Sequence, residues 1–206
     1  NGKYPLDVTE LRNIFNLSPV QFWFTVEVLI FAVIFVPTMI AFFTGAPWVP
    51  TPMKRVKKML ELAKIKQGEK VLDLGCGDGR MAHIASKDHG ADAFGIELSP
   101  IIYAMARICN FFRGSKAKIL LRDFRRVDFS DADVLTFYLL PPILKRMREK
   151  WERELKPGAR IVSYAFEVEG WEPVYIEPKD PENNYARILV YEIPKSIKEK
   201  GSSAKT

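Results

Sequence analysis

The residues best suited to chemistry fall in one run, Val71-Leu72-Asp73-Leu74-Gly75-Cys76-Gly77-Asp78-Gly79-Arg80. An apolar stretch leads into glycines at alternate positions, the pattern of a buried strand that turns sharply into a helix. Gly75 and Gly77 let the backbone approach a ligand with no Cβ in the way. The helix that opens after Gly79 offers unpaired N–H groups. A second apolar run, over 93–97, ends in the carboxylate of Glu97, 22 residues after Gly75. At the end of a neighbouring strand, such a carboxylate can accept both ribose hydroxyls of a nucleoside.

Asp73 narrows the ligand. Dinucleotide-binding turns read G-x-G-x-x-G, and Arg80 stands where the third glycine would be. A carboxylate just before the turn repels a pyrophosphate and suits a ligand carrying an amino group and a sulfonium. A third element, Asp123-Phe124, follows a strand expected over 118–121. Together these residues resemble the class I, seven-strand methyltransferases. The resemblance implies S-adenosylmethionine as cofactor. It implies that Asp73 and the turn Gly75, Cys76, Gly77, Asp78 and Gly79 hold the methionine moiety. Glu97, with Leu98 beside it, would take the ribose, Asp123 the adenine amino group, and Phe124 would stack alongside.

Shorter elements point to one branch. Val49-Pro50-Thr51-Pro52, Leu60-Glu61-Leu62-Ala63-Lys64, Leu155-Lys156-Pro157-Gly158 and Phe166-Glu167-Val168-Glu169-Gly170-Trp171 resemble the archaeal broad-specificity protein lysine methyltransferases. The same branch includes the mitochondrial enzymes that methylate lysine in the adenine nucleotide translocase and the ATP synthase c-subunit. The resemblance covers roughly residues 47–192 and implies a protein lysine as substrate, with Pro50 and Thr51 closing over the cofactor. Amino-methyltransferases of adenine or glutamine often carry Asn or Asp before Pro-Pro after the fourth strand. Here Tyr138-Leu139-Leu140-Pro141-Pro142 stands instead, which argues against a nucleic-acid substrate.

Lysine methylation has its own physical needs. The attacking amine must be neutral, and with a reference pKa of about 10.4 only about one lysine in a thousand is neutral near physiological pH. A desolvated site lowers that pKa, and aromatic walls bind the methylated product. Tyr138, Tyr164, Phe166 and Trp171 are the candidate walls, with core packing the plainer role for each. Glu167 is a candidate to orient the lysine, a surface carboxylate being its plainer role. Two other functions stay open: methylation of a lipid head group or small lipophilic molecule, and a non-catalytic, cofactor-binding membrane scaffold.

These side chains need a frame. Strands are expected at 71–74, 93–97, 118–121, 134–138, 160–164, 173–177 and 186–192. Helices are expected at 53–66, 79–88, 100–113 and 142–155, with Thr51 capping the first and Pro52 at its first position. Repeated alternation predicts an α/β, Rossmann-like, doubly wound seven-stranded sheet, mostly parallel. The charged helix over 142–155 reads as a solvated face, or more sharply as a basic patch facing a membrane.

Ahead of that frame, residues 22–43 are apolar apart from Glu27. Twenty-two residues span about 33 Å, enough for a bilayer core of about 30 Å. Trp23 and Trp48 suit interfacial belts, and Pro37 is tolerable in so apolar a span. Lys54, Arg55, Lys57 and Lys58 follow the span, against Lys3 and Arg12 before it, which places the catalytic part on the cytoplasmic side of a single-pass membrane protein. The expected organisation is an extramembrane segment over 1–19, the span over 20–44, a Pro-rich connector and amphipathic helix over 45–70, the catalytic domain over 71–193 and a flexible tail over 194–206. Lys and Arg exceed Asp and Glu by 31 to 25, which suits an anionic membrane surface or an acidic partner and is too little to argue nucleic acid. Cys76 and Cys109 read as reduced thiols, His83 and His89 as surface residues, and no metal site is expected.

Overall fold

The computed structural model describes residues 18–43 and 49–197. The chain divides into two compact units, one ending at Ile40 and the other beginning at Ala41. Trp48, Lys3, Arg12 and the segments over 1–17 and 198–206 lie outside the described residues.

The first described element, helix α1 (Pro19–Phe43), opens on a reciprocal cap. The Ser18 N–H donates to Gln21 Oε1 at 3.0 Å, and the Gln21 N–H donates to Ser18 Oγ at 3.3 Å. Trp23, Phe24, Leu29, Phe31 and Ile34 are exposed around its circumference, and no part of the stretch Pro19–Val36 is buried. A helix apolar on every side finds its favourable surroundings in lipid or a protein core.

The second unit alternates strands and helices, as the pattern predicted. In order come α2 (Met53–Leu62), β1 (Lys70–Leu74), α3 (Arg80–His89), β2 (Asp92–Glu97), α4 (Pro100–Phe112), β3 (Lys118–Leu121), a 3-10 turn (Phe124–Arg126), β4 (Val134–Phe137), α5 (Pro141–Glu154), β5 (Arg160–Tyr164), β6 (Tyr175–Glu177) and β7 (Ile188–Glu192). The sheet order is β3-β2-β1-β4-β5-β7-β6. β1 to β5 pair in parallel, whereas β7 runs antiparallel between β5 and β6. The order reverses between β1 and β4, the position at which open α/β sheets bind ligands beyond the strands' carboxyl ends.

Alternation along the strands fills both faces. On one face Leu72 and Leu74 of β1 join Leu135, Phe137 and the α5 residues Leu144, Met147 and Trp151. On the other, Val71 and Val134 join Val56, Met81 and Ala106 from α2, α3 and α4. Space between β2 and the turn that follows β1 is tight. A Cβ on Gly95 would lie 2.8 Å from Cys76 Sγ and 2.9 Å from both Cys76 Cβ and Ile119 Cδ1.

Several local expectations are corrected. Pro52 rather than Thr51 precedes α2, with no side-chain cap. α2 ends at Leu62, and Lys64 takes a φ of 49° that a helix cannot continue through. His83 is buried, not on the surface, because α3 turns that side toward the core; burial pushes its pKa down. Arg55, counted beside the membrane span, is buried too, its guanidinium donating to the carbonyls of Pro178 and Ala186. The chain is still packed past Pro194, since Ser196 is fully buried and accepts from the Glu192 N–H at 3.0 Å. On α5, Lys145, Arg148 and Lys150 pair with Glu169, Glu152 and Glu154, so the solvated reading suits this helix better than a basic patch.

Candidate active site

A narrow cleft opens at the carboxyl ends of β1, β2 and β4. It is lined by Val49, Pro50 and Thr51, by Asp73, Gly75, Cys76, Gly77 and Asp78, by Arg80 and Met81, by Val56 and Glu97, and by Phe137, Tyr138 and Leu139. Gly75, Gly77 and Gly79 take φ values of 72°, 57° and 75°, which explains three glycines in five residues. The Gly75 and Cys76 N–H groups donate to Ile96 O at 2.9 and 3.1 Å, and this fastens the turn to the end of β2.

The two carboxylates of the cleft differ in environment. Glu97 is held by backbone. The Gly77 N–H donates to its Oε2 at 3.1 Å, and the Leu98 and Ser99 N–H groups donate to its Oε1 at 2.9 and 3.0 Å. Burial raises its pKa, and those three donors oppose the rise. A carboxylate has about four acceptor positions, so Oε2 keeps one for a ligand hydroxyl. Asp73 is 5% exposed and, among the described residues, receives a single hydrogen bond, from Thr136 Oγ1 to Oδ1 at 2.9 Å. Its pKa is pushed up to about 7, first by burial and then by the Glu97 and Asp78 charges, with the Thr136 bond pulling the other way. A buried carboxylate with a free oxygen in a cleft calls for a cation.

Asp78 is used differently. Arg80 Nε and the second guanidinium nitrogen donate to its Oδ1 and Oδ2 at 2.8 and 3.1 Å, and Arg113 donates to Oδ2 at 2.6 Å. Partial burial pushes its pKa up, but these guanidinium partners outweigh burial and hold it below the ordinary value. Arg80 also donates to Thr51 O at 3.0 Å, tying the Val49–Thr51 strap to the glycine turn. Sequence reasoning read Arg80 only as the absence of a glycine and missed this tether.

At the end of β4, Tyr138 is half-buried between two rings. Tyr164 meets it edge-on with centroids 5.0 Å apart, and Phe166 stacks at 6.1 Å. Burial, then Tyr164, pushes the Tyr138 hydroxyl pKa up, so it stays protonated. Phe166 is set by a strained link: Ala165 has a φ of 72°, and the Phe166 N–H donates to Tyr164 O at 3.0 Å, closing a three-residue turn. Ser163 Oγ donates to Phe166 O at 2.6 Å and holds that turn. No sequence signal marks Ala165, because alanine is unusual in this conformation.

Pro50, Thr51, Asp73, Gly75, Cys76, Gly77, Asp78, Glu97 and Tyr138 therefore meet at one cleft, Leu98 through its N–H on Glu97 and Gly79 as the residue preceding α3. The other expected residues stand apart from it. Asp123 heads the 3-10 turn with its carboxylate bound by Arg125, ion-paired at 2.7 Å, and Phe124 is 5% exposed in the core. Trp171 is buried against Trp151 and Tyr191 and donates from Nε1 to Glu152 at 2.8 Å. Glu167 is exposed and pairs with Arg187 at 3.1 Å.

The model of the ANTKMT methyltransferase domain matches residues 73–175. A protein-lysine N-methyltransferase of Saccharolobus islandicus is 41% identical over 71% of this chain and 93% of its own length. The adenine nucleotide translocase lysine N-methyltransferase of Mus musculus is 32% identical over 63% of this chain, which spans 57% of that relative. Among solved structures, one described as an RNA methyltransferase from Salinibacter ruber in complex with S-adenosyl-L-homocysteine is 35% identical, with a TM-score of 0.67 over 73% of this chain and 97% of that one.

Proposed function

Because the chain belongs to the ANTKMT methyltransferase-domain family of S-adenosylmethionine-dependent enzymes, we propose that it transfers methyl groups to lysine side chains of proteins at a membrane, to which α1 anchors it. The observation that carries the reading is the wall at the end of β4, where Tyr138, Tyr164 and Phe166 gather at a position that nucleobase-directed enzymes often fill with Asn or Asp.

The cleft fits the cofactor. Asp73, whose Oδ2 takes no hydrogen bond among the described residues and lines the cleft, is the partner for the ligand's ammonium, and the free position on Glu97 Oε2 suits a ribose hydroxyl. Asp123, Phe124, Glu167 and Trp171 would need to reorient to touch ligand, so their proposed roles rank below those of the cleft residues. The bound cofactor supplies a methyl group on a cationic sulfur to an amine nucleophile. The chain's own residues align the two partners, exclude water and favour the neutral amine by desolvation. The aromatic faces at Tyr138 and Phe166 are suited to the alkylated ammonium that results.

Exposed Lys54 and Lys57 after α1 support a cytoplasmic placement of the catalytic unit, with Arg55 no longer counted. The uniformly apolar α1 also supports a second reading, methylation of a lipid head group. Incubating the chain and native membranes with tritium-labelled cofactor separates them. Label on lysine in a protein band supports the first reading, and label confined to the lipid extract replaces it with the second.

A further inference from the structure

Helix α4 has a side that the domain does not cover. Ile101, Ile108, Phe111 and Phe112 are 46%, 58%, 80% and 81% exposed, and Ala104 is exposed between them. Positions 101, 104, 108, 111 and 112 follow helical spacing, so they form one stripe about 20 Å long. Phe111 and Phe112 meet edge to face with centroids 5.6 Å apart at its end. α4 lies against β2 and β3, and β3 is an edge strand, so this stripe borders one edge of the sheet. Leu121, on that edge, is also 46% exposed.

The segment that carries the stripe is strongly basic, with Lys118 paired to Asp92 of β2. Residues 100–126 contain seven Lys or Arg and one Asp, a net +6. The whole chain is also +6, so the rest carries 24 of each sign. The one acid, Asp123, is taken by Arg125. Lys116, Arg122 and Arg126 are exposed and make no side-chain ion pair among the described residues. On α5, by contrast, Lys145, Arg148, Lys150 and Arg153 pair with acids.

We propose that the outer side of α4 docks on an anionic lipid surface, with Phe111 and Phe112 entering the acyl boundary and Lys116, Arg122 and Arg126 meeting headgroups. This goes beyond the anchoring assigned to α1 and does not depend on it. It makes the catalytic unit itself a lipid-binding body.

The test uses the full chain with Cys109→Ser and a fluorophore on Phe112→Cys, incorporated in nanodiscs containing spin-labelled lipid. In discs with phosphatidylglycerol the label is quenched well above the same label on Glu182→Cys. Quenching falls in phosphatidylcholine discs and at high salt. Lys116→Gln and Arg126→Gln each weaken docking about fivefold. Phe111→Ser, at an exposed position where the fold has little to lose, brings the quenching at 112 down to that at 182 while catalysis on a soluble lysine peptide is kept. Quenching no greater at 112 than at 182 overturns the proposal. So does quenching indifferent to headgroup charge, or burial of the label by self-association or added RNA without lipid. Should the chain stay outside the discs, the anchor reading of α1 fails, and flotation with anionic but not zwitterionic vesicles still reads the α4 surface.

Discussion

Thr136 and Asp73 are register partners on the neighbouring parallel strands β4 and β1, and the Thr136 hydroxyl donates to Asp73 Oδ1 at 2.9 Å. Among the described residues that bond is the one hydrogen bond to a carboxylate that burial drives toward neutrality. The strand pairing thus places the donor that opposes the effect of burial on Asp73.

A pH dependence follows with a definite sign. Asp73 binds a proton in the folded, ligand-free protein up to about pH 7. The unfolded chain releases it near the ordinary Asp value of about 3.9. Folded protein therefore holds the extra proton across that window, and its stability falls as pH rises through it. A cationic ligand favours ionised Asp73, so cofactor affinity rises up to about tenfold per pH unit below about pH 7. It levels off above that, before the ligand's own amino group deprotonates. Calorimetry across this range reads the slope. Asp73→Asn removes it along with most affinity, and a persistent slope in that variant would assign it elsewhere.

Thr136→Val keeps the shape and removes the donor. Expected is an upward shift of the binding pH profile and about a fivefold loss of cofactor affinity at neutral pH, worth about 1 kcal/mol. Unaltered titration would show that Thr136 does not govern Asp73.

Arg80 joins the strap to the glycine turn through Thr51 O and Asp78. Arg80→Met should raise KM for the cofactor about tenfold with little change in kcat, and Arg80→Lys should restore part of it. Steady-state kinetics with cofactor varied would reveal instead a fall in kcat alone if the strap acts on chemistry rather than binding.

Two backbone positions make opposite stability predictions. Gly95→Ala forces a Cβ against Cys76 and Ile119 and should cost about 1–3 kcal/mol in thermal unfolding. Ala165→Gly relieves a φ of 72° and should stabilise by about 1 kcal/mol. If the strained turn aims Phe166 at Tyr138, the glycine variant loses turnover while gaining stability. Equal turnover would leave the turn a packing feature.

Trp171→Phe removes the indole bond to Glu152 and some buried volume. It should lower stability by about 1–3 kcal/mol and leave kcat per folded molecule unchanged. A selective loss of kcat would return Trp171 to the substrate pocket.

The cleft was legible where its signal is local. Asp73, Gly75 and Gly77 lie in one strand-turn-helix run, and Glu97 ends the next strand, so four neighbouring positions carried the geometry. The strands over 118–121 and 160–164 matched to the residue, because apolar runs bounded by polar turns fix both ends. What could not be read depends on partners distant in sequence. Thr136 is 63 positions from Asp73, Arg80 is 29 from Thr51, and Trp171 is 19 from Glu152. His83 looked like a surface residue because one polar side chain on a short helix carries no sign of which way the helix turns. Trp171 looked like a pocket residue because a terminal aromatic motif does not distinguish a wall from a core.

Arg113 ends α4 immediately after Phe112, and its guanidinium grips both the carbonyl and the carboxylate of Asp78, at 2.8 and 2.6 Å. One residue thus ends the outer rim of the helix and holds the glycine-rich turn that lines the cleft. If displacing the rim displaces that loop, the two ends form a lever with Arg113 as its fulcrum. Reciprocity then applies: any surface that tightens the grip on cofactor through this lever is itself held more firmly, by the same factor, once cofactor is aboard.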